Sequence, residues 1–289
     1  MSESDFLATM AARSRTRADA ARAHQPQSEL LAKIRDINPA PRLHRSTEGF
    51  DLIAEMKLRS PALGQLCSVD QDNLEQRVAS YADAGAAAVS VLTEPSRFDG
   101  ALKHLERAAS ALQPYTVPTM RKDFLVDPYQ VLEARAAGAG GVLLILRMLP
   151  IDDLARLIDT SLEQGLFILL EAFDERDIEI AVRLIEPRVG RQSISASGSL
   201  VLIGVNCRDL VSLQVMPGHL EALASKLPDW LPRVAESGVA TADDAGRLAT
   251  AGYDLALVGS ALMSGDNPRD LAAQMLMAGR LAKRSAACS

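Results

Sequence analysis

Between residues 51 and 259 one pattern recurs eight times: a short apolar run rich in β-branched residues, then a longer segment whose apolar positions repeat at helical period. Such alternation is the mark of βα units on a parallel sheet, because parallel neighbours need a crossover long enough to hold a helix. The runs fall at 51–56, 86–92, 117–121, 141–147, 166–172, 200–206, 231–236 and 254–259. The stretch GVLLIL carries no polar alternation, as expected of a strand covered on both faces. Eight units predict an α/β fold, a closed (β/α)8 TIM barrel, which takes roughly 250 residues and leaves room for an extension.

Three of the linking segments end in Ala-Gly, at Gly85, Gly138 and Gly252, where a helix stop needs a left-handed residue. The polar stretch at 187–199 reads as a surface insertion before the sixth strand. Residues 1–50 read as an N-terminal helical extension, with helices at 6–23 and 29–37 and a Pro-containing link, ahead of a catalytic barrel over 51–289. The extension suits either a cap on the barrel or an oligomer contact, so monomer and homodimer both stay open.

A chain of 289 residues, 48% of them hydrophobic, can bury one large core. Its net charge of -6 gives no general attraction for nucleic acid or an anionic membrane, while leaving room for a local basic cleft. Cys67, Cys207 and Cys288 are too scattered for a disulfide framework, which fits a reducing cytoplasm. The four histidines do not cluster, so a His-rich metal site or a Ser-His-Asp relay has little support. No apolar run approaches a membrane span or a signal-peptide core. The Arg-rich start is interrupted by Glu3, Asp5 and Asp19, which favours a solvated amphipathic helix over a transit peptide.

Charged and polar residues stand at the ends of five of the runs: Glu55 with Lys57, Lys122, Glu171, Asn206 with Arg208, and Glu236. A buried charge is costly unless paired, and the ends of parallel barrel strands gather on the face where active sites are built. Glu55 and Lys57, two apart, share one strand face, either as an acid/base unit or as a structural ion pair. Asn206 can orient a hydroxyl or carboxylate, and Arg208 either joins it or braces the loop through Asp209. Lys122, flanked by Arg121 and Asp123, belongs either to an exposed charge trio or to the barrel mouth, where it would protonate a carbonyl or hold an anion. Glu236-Ser237-Gly238 and Gly259-Ser260 follow the seventh and eighth strands, the usual place for a phosphate site.

The motifs IAEMKLRSP, SVLTE with FDG, RKDFLVDPYQVLEARAAGA, VLLI, LLE, GVNCRDL, VAESG and LVGSALM run in order from about residue 51 to 263. With them the chain resembles the indole-3-glycerol phosphate synthases, decarboxylating lyases that close 1-(2-carboxyphenylamino)-1-deoxyribulose 5-phosphate in tryptophan biosynthesis. The resemblance implies Lys122 as general acid, Glu171 as general base, and Lys57 as the contact to the substrate carboxylate and a later acid. Glu55 and Glu236 would set the position and charge of Lys57, and Asn206 would orient polar groups of the substrate. Ser60, Gly238, Gly259 and Ser260 match the phosphate positions, with Ser237 and Arg208 beside them. Phe98, Phe124 and Leu143 match the apolar pocket for the aromatic ring, although a Phe near a strand end also suits plain core.

The resemblance further implies a cytoplasmic enzyme on a small phosphorylated substrate, needing no metal or organic cofactor and binding neither nucleic acid nor membrane. Two positions depart from the family pattern. Ala62 stands where a serine is usual in the loop after Lys57, and Phe173 stands where His or Asn is usual, so Glu171 is expected to lose a polar partner. These departures motivate two alternatives: a paralogue acting on a related phosphorylated substrate, and a silent phosphate-binding barrel. The retained Lys57, Lys122 and Glu171 weigh against the silent barrel.

Overall fold

The computed structural model describes residues 3–60, 64–66, 73–191, 201–212 and 214–287. Eight strands form a closed, all-parallel barrel: β1 (Asp51–Met56), β2 (Ala88–Leu92), β3 (Thr119–Lys122), β4 (Gly141–Ile145), β5 (Phe167–Ala172), β6 (Val201–Asn206), β7 (Arg233–Glu236) and β8 (Leu255–Val258). Each strand pairs with its neighbours in sequence, and β8 closes onto β1 through pairs such as Ile53 with Leu257. The fold expected from the repeating pattern is therefore the fold observed. Most run ends fall within one or two residues of the strand ends, and the fourth run, which reads as extended through Arg147, overshoots a strand that ends at Ile145 before a 3-10 turn at Leu146–Met148.

Helices lie between and around the strands: α1 (Glu3–His24) and α2 (Gln27–Arg35) before the barrel, then α3 (Leu74–Asp83), α4 (Pro95–Phe98), α5 (Leu102–Leu112), α6 (Pro128–Ala136), α7 (Ile151–Glu163), α8 (Glu175–Val189), α9 (His219–Ala224), α10 (Ala242–Ala251), α11 (Ser260–Ser264) and α12 (Pro268–Ala287). Local chemistry sets their ends. The Asp127 side chain caps α6 in a box with Gln130, and Thr241 caps α10 with Asp244, so amide donors left free by the first turn find acceptors. Gly85, Gly138 and Gly252 have φ of 95°, 87° and 110°, as expected of residues that stop a helix in the left-handed region.

Strand alternation sorts the core into two clusters. Leu52, Val89, Val142, Ile168 and Ile203 point outward and pack under the helices. Ile53, Ala88, Met120, Leu143, Leu169, Leu202, Val234 and Leu255 point inward and fill the barrel. The C-terminal ends of the strands therefore open above a solid floor. The expected surface insertion at 187–199 falls partly on α8, which runs to Val189, and its residues 192–199 lie outside the described residues.

Candidate active site

The inward positions turn polar at the C-terminal ends of the strands. Register pairs Leu92 with Lys122, Ile145 with Glu171, Glu171 with Gly204, and Asn206 with Glu236, which brings the charged groups to one level of the barrel. There Nζ of Lys122 donates to Oε2 of Glu171 at 3.0 Å and to Oε2 of Glu236 at 3.2 Å. The second oxygen of Glu171 accepts from Nδ2 of Asn206 at 3.1 Å. Lys57 pairs with Glu55 at 2.7 Å. Three buried carboxylates thus face two ammonium groups.

This imbalance shapes the titration of the site. Burial alone pulls the Lys122 pKa down, but the attraction of Glu171, Glu236 and Glu55 outweighs it and holds the ammonium charged well above the ordinary lysine range. For Glu55 burial pushes upward, and Lys57 followed by Lys122 overcome it, so its pKa is lowered. Glu236 goes the other way. Burial pushes it up to about 8, with repulsion from Glu171 adding to burial and Lys122 opposing. Ionising Glu236 is therefore harder than ionising an ordinary glutamate.

Above these groups lies a cavity of about 760 Å³. Every residue singled out from the sequence lines it: Glu55, Lys57, Lys122, Glu171, Asn206 and Glu236, together with Ser60, Phe98, Phe124, Leu143, Arg208, Ser237, Gly238, Gly259 and Ser260. The turn after β7 is sharp, with Ser237 and Gly238 both at φ 68°, and Gly259 leads directly into α11. The cavity therefore joins an aromatic wall, paired ionisable groups and Ser-Gly turns.

One expectation needs correction: Glu236, expected with Glu55 to set the position of Lys57, pairs with Lys122 instead. Arg121 and Asp123 are not members of an exposed trio. Both are buried: Arg121 lies on the outer face of β3, while Asp123, one residue past the strand and also lining the cavity, takes bonds from Arg17, Arg121, Thr93 and the Phe124 amide. Phe173 offers Glu171 no polar group, and the two oxygens of Glu171 are held by Asn206 and Lys122. The Phe173 ring instead lies under the Arg147 guanidinium at 4.7 Å, its carbonyl accepts from Nε2 of His219, and its side chain helps wall the cavity. Arg208 also lines the cavity and contributes to lowering the Glu55 pKa, while Asp209 accepts from the amides of Val211 and Ser212. Ala62, Cys67 and Cys288 lie outside the described residues.

The extension supplies cavity residues that the motifs did not indicate. Phe6 and Leu7 of α1 line the cavity, and Phe6 meets Phe124 edge-on with ring centroids 6.0 Å apart. The signal was present in the spacing of Phe6, Leu7, Met10, Ala11, Ser14 and Ala18, a helical stripe that is buried throughout. Arg17 clamps Asp123 with two bonds, Arg22 reaches Asp127 at 2.5 Å, and the Gln130 amide donates to Ser14. These contacts hold α1 over the mouth. Among the described residues no cluster of His, Cys, Asp and Glu has the grouping of a metal site, and no helix is long and apolar enough to cross a membrane.

Comparison with known proteins supplies a family. Residues 7–275 match the family model described as indole-3-glycerol phosphate synthase. An indole-3-glycerol phosphate synthase of Nocardioides sp. is 40% identical over 250 residues, covering 86% of this chain and 89% of that protein. Those of Streptomyces griseus and Mycobacterium leprae are each 38% identical over 232 residues, covering 80% of this chain and 79% and 78% of theirs. Among solved structures, 3-hexulose-6-phosphate synthase from Salmonella typhimurium superposes with a TM-score of 0.59 at 13% identity, covering 80% of this chain and 99% of that one. Thiamine phosphate pyrophosphorylase from Pyrococcus furiosus gives 0.56 at 15%, covering 81% and 98%. At such identity these two establish the barrel fold alone. The chain belongs to the indole-3-glycerol phosphate synthase family.

Proposed function

We propose that the chain converts 1-(2-carboxyphenylamino)-1-deoxyribulose 5-phosphate to indole-3-glycerol phosphate, carbon dioxide and water, as a carbon-carbon lyase of tryptophan biosynthesis. The observation that carries this reading is the bridged ammonium, with Lys122 held 3.0 Å from Glu171 and 3.2 Å from Glu236 at the base of the cavity. Ring closure forms a bond between the aromatic carbon bearing the carboxylate and the ketone carbon. The carbonyl electron pair moves to oxygen, which takes a proton from Lys122. Loss of carbon dioxide returns the electrons of the broken carbon-carbon bond to the ring and restores aromaticity. The new hydroxyl then leaves as water with a proton from Lys57, while Glu171 removes a proton from the adjacent methylene.

Each of these proton transfers contributes about 10²- to 10⁴-fold when the group is well placed. Glu55 holds Lys57, Asn206 holds Glu171, and Glu236 balances Lys122, so the donors and the base are oriented before substrate arrives. Ser60, Ser237, Gly238, Gly259 and Ser260 form the phosphate end of this scheme. Phe98, Phe124 and Leu143, with Phe6 and Leu7, receive the aromatic ring. In this division residues 1–50 are an extension that completes the pocket, and 51–289 are the catalytic barrel. A cytoplasmic setting suits a small phosphorylated substrate. The test is direct: purified protein mixed with the substrate should show growing indole fluorescence, and absence of product from protein folded by circular dichroism contradicts the proposal.

A further inference from the structure

One inward position at the site carries no side chain. Gly204 lies in β6 between the inward-facing Leu202 and Asn206, and a Cβ there would overlap Oε1 of Glu236 and approach Cδ1 of Leu169 at 3.0 Å. That same Oε1 is buried and has no hydrogen-bond partner among the described residues, while Oε2 holds Lys122. With no donor to fix Oε1, the carboxylate keeps its orientation through shape on one side and Lys122 on the other. Gly259 stands in the same relation to the second pair, since a Cβ there would overlap Oε1 of Glu55 and lie 2.9 Å from Nζ of Lys57.

We propose that Gly204 is a positioning residue for ring closure: the space left by its missing Cβ is the seat that holds the Glu236 carboxylate against Lys122. This rests on the reading of the site as an indole-3-glycerol phosphate synthase. Filling the seat turns the carboxylate off Lys122 and leaves the ammonium to Glu171 alone. The dry seat is also what pushes Glu236 up to about 8, burial being the first cause, so a displaced carboxylate titrates lower. Gly204 touches no substrate in this scheme and acts only through Glu236.

A double-mutant cycle over Gly204→Ala and Glu236→Ala, read by steady-state kinetics against pH and by urea unfolding, tests the seat. Gly204→Ala alone should lower kcat by about 10²-fold, the low end of what one acid/base element contributes, with KM within about threefold and the limb near pH 8 displaced downward. Added to Glu236→Ala, the same change should alter kcat by less than about threefold and cost less stability than it does alone, because contacting residues are not additive. Equal losses in both backgrounds, or a Gly204→Ala enzyme with kcat close to the parent, overturn the proposal. If the parent itself forms no product, the proposed function fails, and the urea cycle still decides the seat: equal destabilisation in both backgrounds overturns it. If Gly204→Ala does not fold, recovery of folding in the double variant supports the seat and continued failure overturns it.

Discussion

Two charge clusters adjoin at the C-terminal end of β3, and they are built on different rules. Around Asp123, just past β3, Arg17 and Arg121 meet Asp123 and Glu133, two cations with two anions. Asp123 has a fully buried side chain and accepts four different donors, and Arg121 also bonds Thr93 and the Gln130 carbonyl. On the inner face, Lys122 and Lys57 meet three carboxylates, one of whose oxygens has no partner among the described residues. The cluster around Asp123 is balanced in charge, although Asp123 also reaches the cavity wall and Nε of Arg17 is buried with no partner among the described residues. The inner one is open to a cavity, and burial there raises the Glu236 pKa to about 8. One position along the chain separates the contacts that hold α1 from the groups proposed to move protons.

The difference can be attacked from both sides. The largest expected effect on stability is at the cluster around Asp123. Asp123→Ala leaves the buried Arg121 and the half-buried Arg17 without their shared carboxylate and should lower unfolding free energy by about 3–5 kcal/mol, measured by urea titration. A loss well below that range would place this cluster among exposed ion pairs, which are worth far less.

A smaller effect is expected from Glu236→Gln, and it should appear as pH dependence. Glu236 is raised in the folded protein from the ordinary 4.5 to about 8, so its protonated form fits the fold and its ionised form strains it. Its contribution to stability is present below the unfolded value and is lost as pH rises towards 8. Replacing it with an uncharged isostere should therefore raise stability relative to the parent progressively between pH 5 and pH 8. Urea midpoints collected across that interval check the sign, and a difference that stays flat with pH contradicts the raised Glu236 pKa.

Much of this arrangement is legible in the sequence because alternation is a strong signal where it repeats. The eight runs locate the strands, and the polar residues at their ends locate the mouth. Strand ends are less legible: the run at 141–147 stays apolar past the point where β4 turns at Leu146, since hydrophobicity does not record backbone geometry. The true surroundings of Arg121 and Asp123 are hidden because their partner Arg17 lies over a hundred positions earlier, in a helix with no pattern linking it to β3. The support of Glu171 is hidden for a similar reason. It comes from Asn206 and Lys122 on other strands, not from the residues next to it in the chain. Gly204 gives no signal at all, because an absent side chain matters only once Glu236 is known to lie beside it.

The measurement that bears most directly on the division between the two clusters compares Lys122→Ala with Asp123→Ala, one position apart, for both turnover of the carboxyphenylamino-deoxyribulose phosphate and urea midpoint. The expected result is a crossing. Lys122→Ala should lose at least about 10²-fold in kcat while keeping a midpoint nearer the parent, since the open cavity lets water and protons relieve the freed carboxylates. Asp123→Ala should lose the larger share of stability while its folded fraction turns over within about tenfold of the parent, well inside the loss expected for an acid. Two variants that fall together in both quantities would contradict the separation of a catalytic cluster around Lys122 from a structural one around Asp123.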